Sequence, residues 1–221
     1  MIAIIDYDMG NLCSVGNALG RLGCEYVLTS DPEVIRRADK ILLPGVGNAA
    51  EAMANLRERG LCDVIRSLRQ PVLGICIGMQ LMCGHSEEGD AECLGIFPTR
   101  VKRFVAGPEV KVPHMGWNQI KDLRSPLFSD IEEGSYVYFV HSYAPMPCNA
   151  TIAISDNGTT LALVDRDASA DWGHYCTESL ALEAGAKLAF NATKNFMQTG
   201  DWNVDATARI VVTVPAGFEG A

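Results

Sequence analysis

Cys76 is the residue of this chain whose surroundings most favour nucleophilic chemistry. It lies between an apolar run and a helical pattern, with Gly74 and Gly78 two residues away on either side. This pattern is typical of a nucleophile elbow, a sharp strand-to-helix turn in which small residues let the two elements approach closely. A thiol at the start of a helix also gains from the positive end of the helix dipole, which favours the thiolate. We therefore predict a catalytic thiol at Cys76, against the alternative of a buried cysteine that only packs.

A second glycine-rich segment, Pro44-Gly-Val-Gly47, ends a neighbouring predicted strand. Glycines at this place can turn backbone N–H groups toward the elbow and build an oxyanion hole together with the N–H of Ile77. Taken alone, the segment is weak evidence, because such glycines are also common where a strand ends. Its value comes from its pairing with the elbow.

The seven other cysteines lack this context, and no two cysteines form a C-x-x-C pair. Their scatter argues against a zinc site and against a disulfide framework. We therefore predict packing roles for them, no metal or organic cofactor, and a location in a reducing cytoplasm.

Strand and helix patterns alternate through the first 85 residues, which predicts parallel strands joined by helices. The predicted strands are Ile2–Ile5, Tyr26–Leu28, Ile41–Leu43 and Pro71–Ile75; the predicted helices cover about 12–22, 32–38, 49–59 and 78–83. Asp31 is the predicted N-cap of the second helix, with Pro32 in its first turn. The fold class is therefore α/β: a flavodoxin-like three-layer domain with a central, mostly parallel sheet. Cys76 should lie at the carboxyl end of a central strand, where such sheets bind ligands.

The second half of the chain reads as partly antiparallel. Its predicted strands are Ile96–Val105, Lys111–Val112, Tyr136–Val140 and a hairpin of Thr151–Ile154 with Thr160–Val164 across Asp156–Gly158. A helix is predicted from about Thr177 to Met197, and a strand at Ile210–Val214. We predict a single domain over residues 1–200, with an atypical C-terminal extension over residues 201–221.

Charge and hydropathy exclude several function classes. The chain has 221 residues, with 27 acidic against 18 basic side chains and a formal charge of −9. Such a surface repels phosphate backbones, so we expect no nucleic-acid partner. No apolar run reaches the roughly 18 residues that would cross a bilayer, so we expect no membrane role.

Several segments together resemble one family, the class I, triad-type glutamine amidotransferases. Within it, the chain resembles the glutaminase subunits of imidazole glycerol phosphate synthase (HisH). The segments are Asp6-Tyr-Asp-Met-Gly-Asn11, Leu43-Pro-Gly-Val-Gly47, Gly74-Ile-Cys-Ile-Gly-Met-Gln80, Pro113-His-Met-Gly-Trp-Asn118 and Tyr138-Phe-Val-His-Ser-Tyr143. They occur in the expected order over about residues 1–155. Gly74–Gln80 marks the superfamily, and Pro113–Asn118 and Val140–Tyr143 are more specific for the subfamily.

The resemblance implies an activity and a set of site residues. Cys76 would attack the side-chain amide of glutamine, release ammonia and leave a thioester that water hydrolyses. The implied oxyanion donors are Gly45, Val46 and Ile77, and the implied glutamine-binding residues are Gln80, Ser142 and Tyr143. Ammonia would pass to a cyclase subunit with a (β/α)₈ barrel, which forms a heterodimer with this chain in histidine biosynthesis and so combines hydrolase and lyase chemistry. Asn11, Ser14 and Trp117 would lie near that interface.

One part of the family pattern is absent. The family completes its triad with Gln-Phe-His-Pro-Glu before the last helix, and this chain has no such string. An ungapped count puts Thr177 in the place of the base and Ser179 in the place of its carboxylate partner. A gapped comparison offers His174 and Glu178, whose Cα atoms would lie about 13 Å apart in an extended chain. His174 and Glu178 are therefore the predicted triad partners on the gapped comparison only. Real divergence and an altered reading frame after about Asn157 both account for the absence.

Three functions follow from these observations. The first is a glutaminase that feeds ammonia to the cyclase. The second is an interaction subunit of the same complex with impaired glutaminase activity, because a positioned acid–base group typically supplies 10²–10⁴-fold in rate. The third is a different cysteine hydrolase on the same scaffold, which only the elbow favours.

Overall fold

The computed structural model describes residues 1–107, 111–125, 128, 130–155, 160–164, 174–177, 189–191 and 209–211. The chain divides into two compact units, Met1–Ser179 and Leu180–Ala221. The prediction of a single domain over residues 1–200 stays a prediction. No helix in the described part of the chain is long and apolar enough to cross a membrane.

The first unit opens with alternating strands and helices, as the sequence predicts. They are β1 (Ile2–Ile5), α1 (Leu12–Arg21), β2 (Tyr26–Thr29), α2 (Pro32–Arg37), β3 (Lys40–Leu43), α3 (Ala49–Glu58), α4 (Leu61–Ser67), β4 (Val72–Ile75) and α5 (Ile77–Met82). Strands then dominate: β5 (Cys83–Ser86), β6 (Ala91–Glu92), β7 (Phe97–Arg103), β8 (His114–Lys121), β9 (Tyr136–His141), β10 (Tyr143–Pro145), β11 (Thr151–Ser155), β12 (Thr160–Val164) and β13 (His174–Thr177). In the second unit, β14 (Ala189–Asn191) and β15 (Arg209–Val211) form an antiparallel pair.

Nine strands of the first unit form one sheet, in the order β2-β1-β3-β4-β13-β12-β11-β8-β9. Pairing is parallel from β2 to β13 and antiparallel from β13 to β9. The predicted α/β fold, with a parallel sheet and a partly antiparallel second half, is confirmed. β4 lies between β3 and β13, so its carboxyl end, and Cys76 after it, lie inside the parallel part of the sheet and not at its edge.

The two faces of β1 bury alternate side chains against different helices. Ile4 packs in one cluster with Leu19 of α1, whereas Ile5 packs in another with Ile35 of α2. Because side chains alternate along a strand, this arrangement needs helices on both faces of the sheet. Burying each such side chain contributes about 1.5–3 kcal/mol, so the three-layer core fixes the strand ends that carry the site.

A smaller sheet, in the order β10-β7-β5-β6, follows the elbow helix directly. α5 has six residues and β5 begins at the next one, so the chain turns from nucleophile to second sheet within two helical turns. β10, which begins at Tyr143, belongs to this smaller sheet, so Tyr143 lies in the sheet that follows the elbow helix.

Local signals are confirmed at α2. The Asp31 carboxylate accepts a hydrogen bond of 2.8 Å from the N–H of Glu33, and Pro32 is the first helical residue. Asp31 therefore satisfies one of the donors that a helix start leaves unpaired.

Three differences from the predicted elements have physical causes. α4 is an additional helix, which begins after Gly60 in the left-handed conformation. The predicted strand at Lys111–Val112 is wrong, because the strand instead starts at His114 and pairs with β9. The predicted helix over Thr177–Met197 is wrong at Thr177, the last residue of β13, and at Ala189–Asn191, where pairing with distant Arg209–Val211 gives a strand.

The predicted hairpin partners β11 and β12 do pair antiparallel, and their turn at Asp156–Gly158 lies outside the described residues. Of the strand predicted at Ile210–Val214, the described part, Ile210–Val211, belongs to β15. The remainder of the predicted helix and strand lies outside the described residues.

Candidate active site

Cys76 is held in a backbone conformation that non-glycine residues rarely adopt. Its φ is 56° and its ψ is −117°, and it joins the end of β4 to the start of α5. Such conformations cost about 1–3 kcal/mol and persist where the surrounding structure imposes them. The Cys76 residue is partly exposed, and it packs at the edge of the main core cluster. The turn thus presents a thiol at the carboxyl end of a central strand while its neighbour Ile77 stays buried.

The flanking glycines permit this turn. A Cβ on Gly74 would lie 2.9 Å from the carbonyl of Gly78, and a Cβ on Gly78 would overlap the Leu43 carbonyl oxygen. The backbones of β3, β4 and α5 therefore touch without intervening side chains. The role predicted for these glycines, close approach of strand and helix, is confirmed.

Pro44–Gly47, which the sequence predicts to supply oxyanion donors and which we call the oxyanion segment, lies against the elbow. A Cβ on Gly45 would stand 2.6 Å from the backbone nitrogen of Gly78 and 2.8 Å from Cβ of Ile77. Gly45 is buried, Val46 is partly exposed and Gly47 is exposed with a φ of 93°. The backbone of the segment thus reaches the first turn of α5, which is the placement that an oxyanion hole shared with Ile77 requires.

Tyr7 holds the start of the oxyanion segment. Its side chain is fully buried, and its hydroxyl donates a hydrogen bond of 2.6 Å to the carbonyl oxygen of Pro44. Burial, with the charge of Cys76 as a second cause, raises the pKa of Tyr7 well above its ordinary value. The phenol therefore stays protonated at neutral pH and donates its proton to Pro44.

The end of the oxyanion segment runs into the start of α3. The Asn48 side chain accepts from the N–H of Ala50 at 2.9 Å, and the Glu88 carboxylate accepts from the N–H of Ala49 at 3.1 Å. Burial raises the pKa of Glu88, and the hydrogen bond from Ala49 opposes that shift in part. A carboxylate from the turn between β5 and β6 is thus placed beside the oxyanion segment.

The residues expected to hold glutamine come from two elements. Gln80 lies in α5, is buried, and its N–H donates to the carbonyl of Cys76 at 3.1 Å. Ser142 and Tyr143 lie where β9 gives way to β10, and both are partly exposed. Tyr143 packs against the same core cluster as Cys76, so the two regions adjoin one hydrophobic core.

The predicted triad partners lie on or after β13. The parallel register pairs His174 with Val72 and Thr177 with Ile75, the residue before Cys76. Thr177 is therefore the described β13 residue level with the end of β4, as the ungapped count places it. His174 is three residues further back, about 10 Å along the strand. Glu178 and Ser179 lie outside the described residues, and the catalytic assignment of His174 and Glu178 stays a prediction.

The remaining histidines pair with neighbours other than Cys76. His85 Nδ1 accepts from Arg100 at 3.1 Å, so its Nε2 carries the proton and donates to Asp90 at 2.9 Å. His114 and His141 face each other across β8 and β9, with 3.1 Å between Nδ1 and Nε2. The imidazole of His114 therefore has a polar partner within the antiparallel half of the sheet.

The predicted interface residues are partly exposed. Asn11 is the N-cap of α1, and its side chain accepts from the N–H of Ser14 at 3.1 Å. Trp117 meets Tyr138 edge to face at 5.5 Å. Met115, two residues before Trp117, is 58% exposed. Their part in a partner interface stays a prediction.

Burial keeps two other thiols of the described residues in their protonated form. Burial raises the pKa of Cys93 to about 11 and raises that of Cys62. Such thiols stay protonated and unreactive. Among the described residues, no group of three or more His, Cys, Asp or Glu side chains is placed to hold a metal ion.

Sequence reasoning did not assign roles to Tyr7 and Glu88. Tyr7 stands in the first motif, but its contact joins residues 37 apart in sequence. Glu88 stands in a polar turn whose composition is typical of a solvated loop. Neither role follows from local pattern, because each depends on which loop the fold brings beside the elbow.

Comparison with known proteins identifies relatives of this arrangement. The family model for class-I glutamine amidotransferases matches residues 3–170. Imidazole glycerol phosphate synthase subunit HisH of Bacteroides fragilis is 54% identical over 156 residues, 70% of this chain and 80% of that protein. The protein of the same name from Xylella fastidiosa is 42% identical over 198 residues, 89% of this chain and 96% of that protein. A crystal structure of a glutamine amidotransferase has a TM-score of 0.60 at 16% identity, covering 81% of this chain and 90% of that one; it supports the fold alone.

Proposed function

The chain belongs to the class-I glutamine amidotransferase family, and we propose that it is the glutaminase subunit of an imidazole glycerol phosphate synthase. The observation that carries the proposal is the elbow: Cys76 at a φ of 56°, partly exposed, with the backbone of Gly45 against the first turn of α5. The identity of 54% to a HisH subunit supports this particular synthase.

The reaction proceeds through a thioester. The Cys76 thiolate attacks the side-chain carbonyl carbon of glutamine, and the carbonyl electrons move onto oxygen. Backbone N–H groups of Gly45, Val46 and Ile77 hold that oxyanion. The carbon–nitrogen bond then breaks, the nitrogen takes a proton and leaves as ammonia, and water releases glutamate from the thioester while the sulfur regains a proton.

Glutamine is held between the elbow helix and the start of β10. Gln80 is two residues after Gly78 on α5, and Tyr143, which follows Ser142, begins β10. Support for this part of the proposal comes from the packing of Tyr143 and Cys76 against one core cluster, since an amide must be oriented for attack by groups near the thiol.

Ammonia passes to a cyclase subunit with a (β/α)₈ barrel, in a heterodimer that serves histidine biosynthesis. Asn11, Ser14 and Trp117 lie in the contact with that subunit. A thiol nucleophile suits a reducing compartment, and we therefore place the complex in the cytoplasm.

The test compares two cysteine variants in the complex with a cyclase subunit. Cys76→Ser should abolish glutamate release and labelling by a diazoketone analogue of glutamine, which alkylates the attacking sulfur. Cys13→Ser should change neither, because Cys13 is an exposed residue of α1 with no place at the elbow. Mass spectrometry locates the label.

The other two functions give different results in the same test. A subunit that binds the cyclase without hydrolysing glutamine would take no label and release no glutamate; the family match and the HisH identities do not favour it. A different cysteine hydrolase would fail to bind the cyclase. Either result contradicts the proposal.

A further inference from the structure

We infer that Tyr7 is a positioning residue for the oxyanion segment: its buried hydroxyl fixes the Pro44 carbonyl and thereby aims the N–H of Gly45. The inference deepens the proposed function and rests on it. It assigns a task to a residue of the first motif that the reaction itself does not use.

The hydroxyl of Tyr7 lies close to both residues of the Pro44–Gly45 peptide unit. Its hydroxyl oxygen lies 2.6 Å from the carbonyl oxygen of Pro44 and would lie 2.9 Å from a Cβ on Gly45. The same Cβ would meet the nitrogen of Gly78 and Cβ of Ile77. The phenol and the first turn of α5 therefore meet at the same place on Gly45, where a side chain would stand, and the phenol also holds the carbonyl oxygen of Pro44.

Because the peptide unit is planar, the hydrogen bond to the Pro44 oxygen also sets the direction of the Gly45 N–H. In a planar trans peptide, the C=O of one residue and the N–H of the next point in opposite directions. Fixing the Pro44 oxygen on Tyr7 therefore fixes the direction of the Gly45 N–H. Glycine has broad backbone freedom, so without the phenol the Pro44–Gly45 peptide could turn at low cost.

The loop that carries Tyr7 is itself anchored. The N–H of Asp6 donates to Thr29 at 2.9 Å, and the Asp8 carboxylate pairs with Arg59 after α3. Met9 follows, and its terminal methyl would lie 3.2 Å from a Cβ on Gly47. The loop thus contacts the oxyanion segment at both Gly45 and Gly47.

Tyr7 acts through the peptide, without touching the substrate. A phenol has a single O–H, and that proton is committed to the Pro44 oxygen. It cannot also donate to the thiolate or to the oxyanion. Loss of the hydroxyl should therefore weaken stabilisation of the tetrahedral oxyanion and leave the nucleophilicity of Cys76 unchanged.

The experiment uses the complex with its cyclase partner and compares Tyr7→Phe with Tyr26→Phe, a control on the edge strand β2. Four quantities are measured: kcat and KM for glutamate release, the affinity for the aldehyde analogue of glutamine, and the rate of alkylation by iodoacetamide. The aldehyde adds to the thiol and forms an oxyanion, whereas iodoacetamide alkylation forms none.

We expect Tyr7→Phe to lower kcat by about 10–100-fold, somewhat less than outright loss of an oxyanion donor. KM should stay within threefold, aldehyde affinity should fall in parallel with kcat, and alkylation should stay within twofold. Tyr26→Phe should match the wild type in all of these quantities. If Tyr7→Phe fails to fold, the incorporation of 4-aminophenylalanine at position 7, which keeps a donor there, should give a folded chain with kcat within about tenfold of wild type.

Unchanged kcat and aldehyde affinity in Tyr7→Phe, in a complex whose wild type turns over, would overturn this inference alone. An equal fall in alkylation rate would also overturn it, because Tyr7 would then act on the thiol. A wild-type complex that neither releases glutamate nor takes the diazoketone label would overturn the proposed function, and this inference with it. A misfolded 4-aminophenylalanine variant would show that Tyr7 is needed for folding, and a folded but inactive one would show that a donor at this place is not enough; either result would overturn the inference.

Discussion

The carbonyl carbon of Leu43 lies 2.8 Å from the point where a Cβ on Gly78 would stand. The last residue of β3 and the first turn of α5 therefore meet backbone to backbone. Leu43 immediately precedes the oxyanion segment and Gly78 follows Cys76 by two residues, so this one contact sets the distance between the proposed donors and the nucleophile.

Gly78→Ala should consequently be among the most damaging small substitutions in the chain. The new methyl group must displace the backbone of β3 at the centre of the sheet, and overpacking of this kind costs about 3 kcal/mol or more. Gly20→Ala is the matched control, because Gly20 is exposed in α1 with nothing within 4 Å of the added Cβ. It should stabilise the chain by about 0.5–1 kcal/mol, as helical alanine does relative to glycine. Urea unfolding followed by circular dichroism measures both changes, and equal midpoints for the two variants would contradict the contact.

The elbow is predictable from sequence because its requirements are local. A nucleophile flanked by glycines between an apolar strand and a helix leaves few conformations, and the structure contains the one expected. β8 is harder to predict, because the motif from Pro113 to Asn118 does not alternate cleanly and contains Gly116 in the left-handed region, at a φ of 156°. Its strand character comes from pairing with β9, twenty residues or so along the chain.

The remaining differences have two causes: a turn signal hides the helix α4, and the other features depend on long-range contacts. α4 has Leu61, Val64 and Ile65 buried at helical spacing, so its signal is present but follows too closely on Gly60 to be separated from a turn. The role of Tyr7 and the strand at Ala189–Asn191 depend on partners that only the folded chain brings near. Sequence patterns indicate that such residues are apolar or buried, but they do not indicate which residues each one contacts.

The two roles of Asn11, as the N-cap of α1 and as a residue of the predicted cyclase interface, can be tested separately. Its side chain caps α1 by accepting from the N–H of Ser14, and the family resemblance places it near the cyclase. Asn11→Ala should lower the free energy of unfolding by about 1 kcal/mol, whereas Asn11→Asp should leave it nearly unchanged because aspartate caps equally well. Both variants should bind the cyclase more weakly in a titration, since both lose the amide N–H donors. Wild-type affinity in Asn11→Asp would remove the amide of Asn11 from the interface.

The pair of His114 and His141 should make stability depend on pH. Burial, with His141 as a second cause, lowers the pKa of His114 below its ordinary value of 6.5. The unfolded chain then takes up a proton here before the folded chain does. The contribution of neutral His114 to the free energy of unfolding is therefore complete above about pH 6.5. It is lost as the pH falls through the lower, folded-state pKa of His114.

His114→Gln removes this titration while keeping a hydrogen-bonding side chain opposite His141. The variant should lose less stability than the wild type between pH 7.5 and pH 5.5, as judged by the urea midpoints at both values. Groups away from the His114–His141 contact are the same in the two chains, so the comparison reports on this contact. The same loss in both chains would show that His114 is protonated alike in the folded and unfolded states.

The pairing of β13 with β4 constrains the position of His174, the predicted base. β13 pairs His174 with Val72, four residues before Cys76, which corresponds to about 13 Å along the sheet. A base must reach the proton that it moves, directly or through one water. We therefore expect His174→Ala to retain glutamate release within about tenfold of the wild-type complex, whereas Cys76→Ser should abolish it. A loss of 10²–10⁴-fold, typical of a removed acid–base group, would instead assign the base to His174 and require β13 to shift its register toward the elbow.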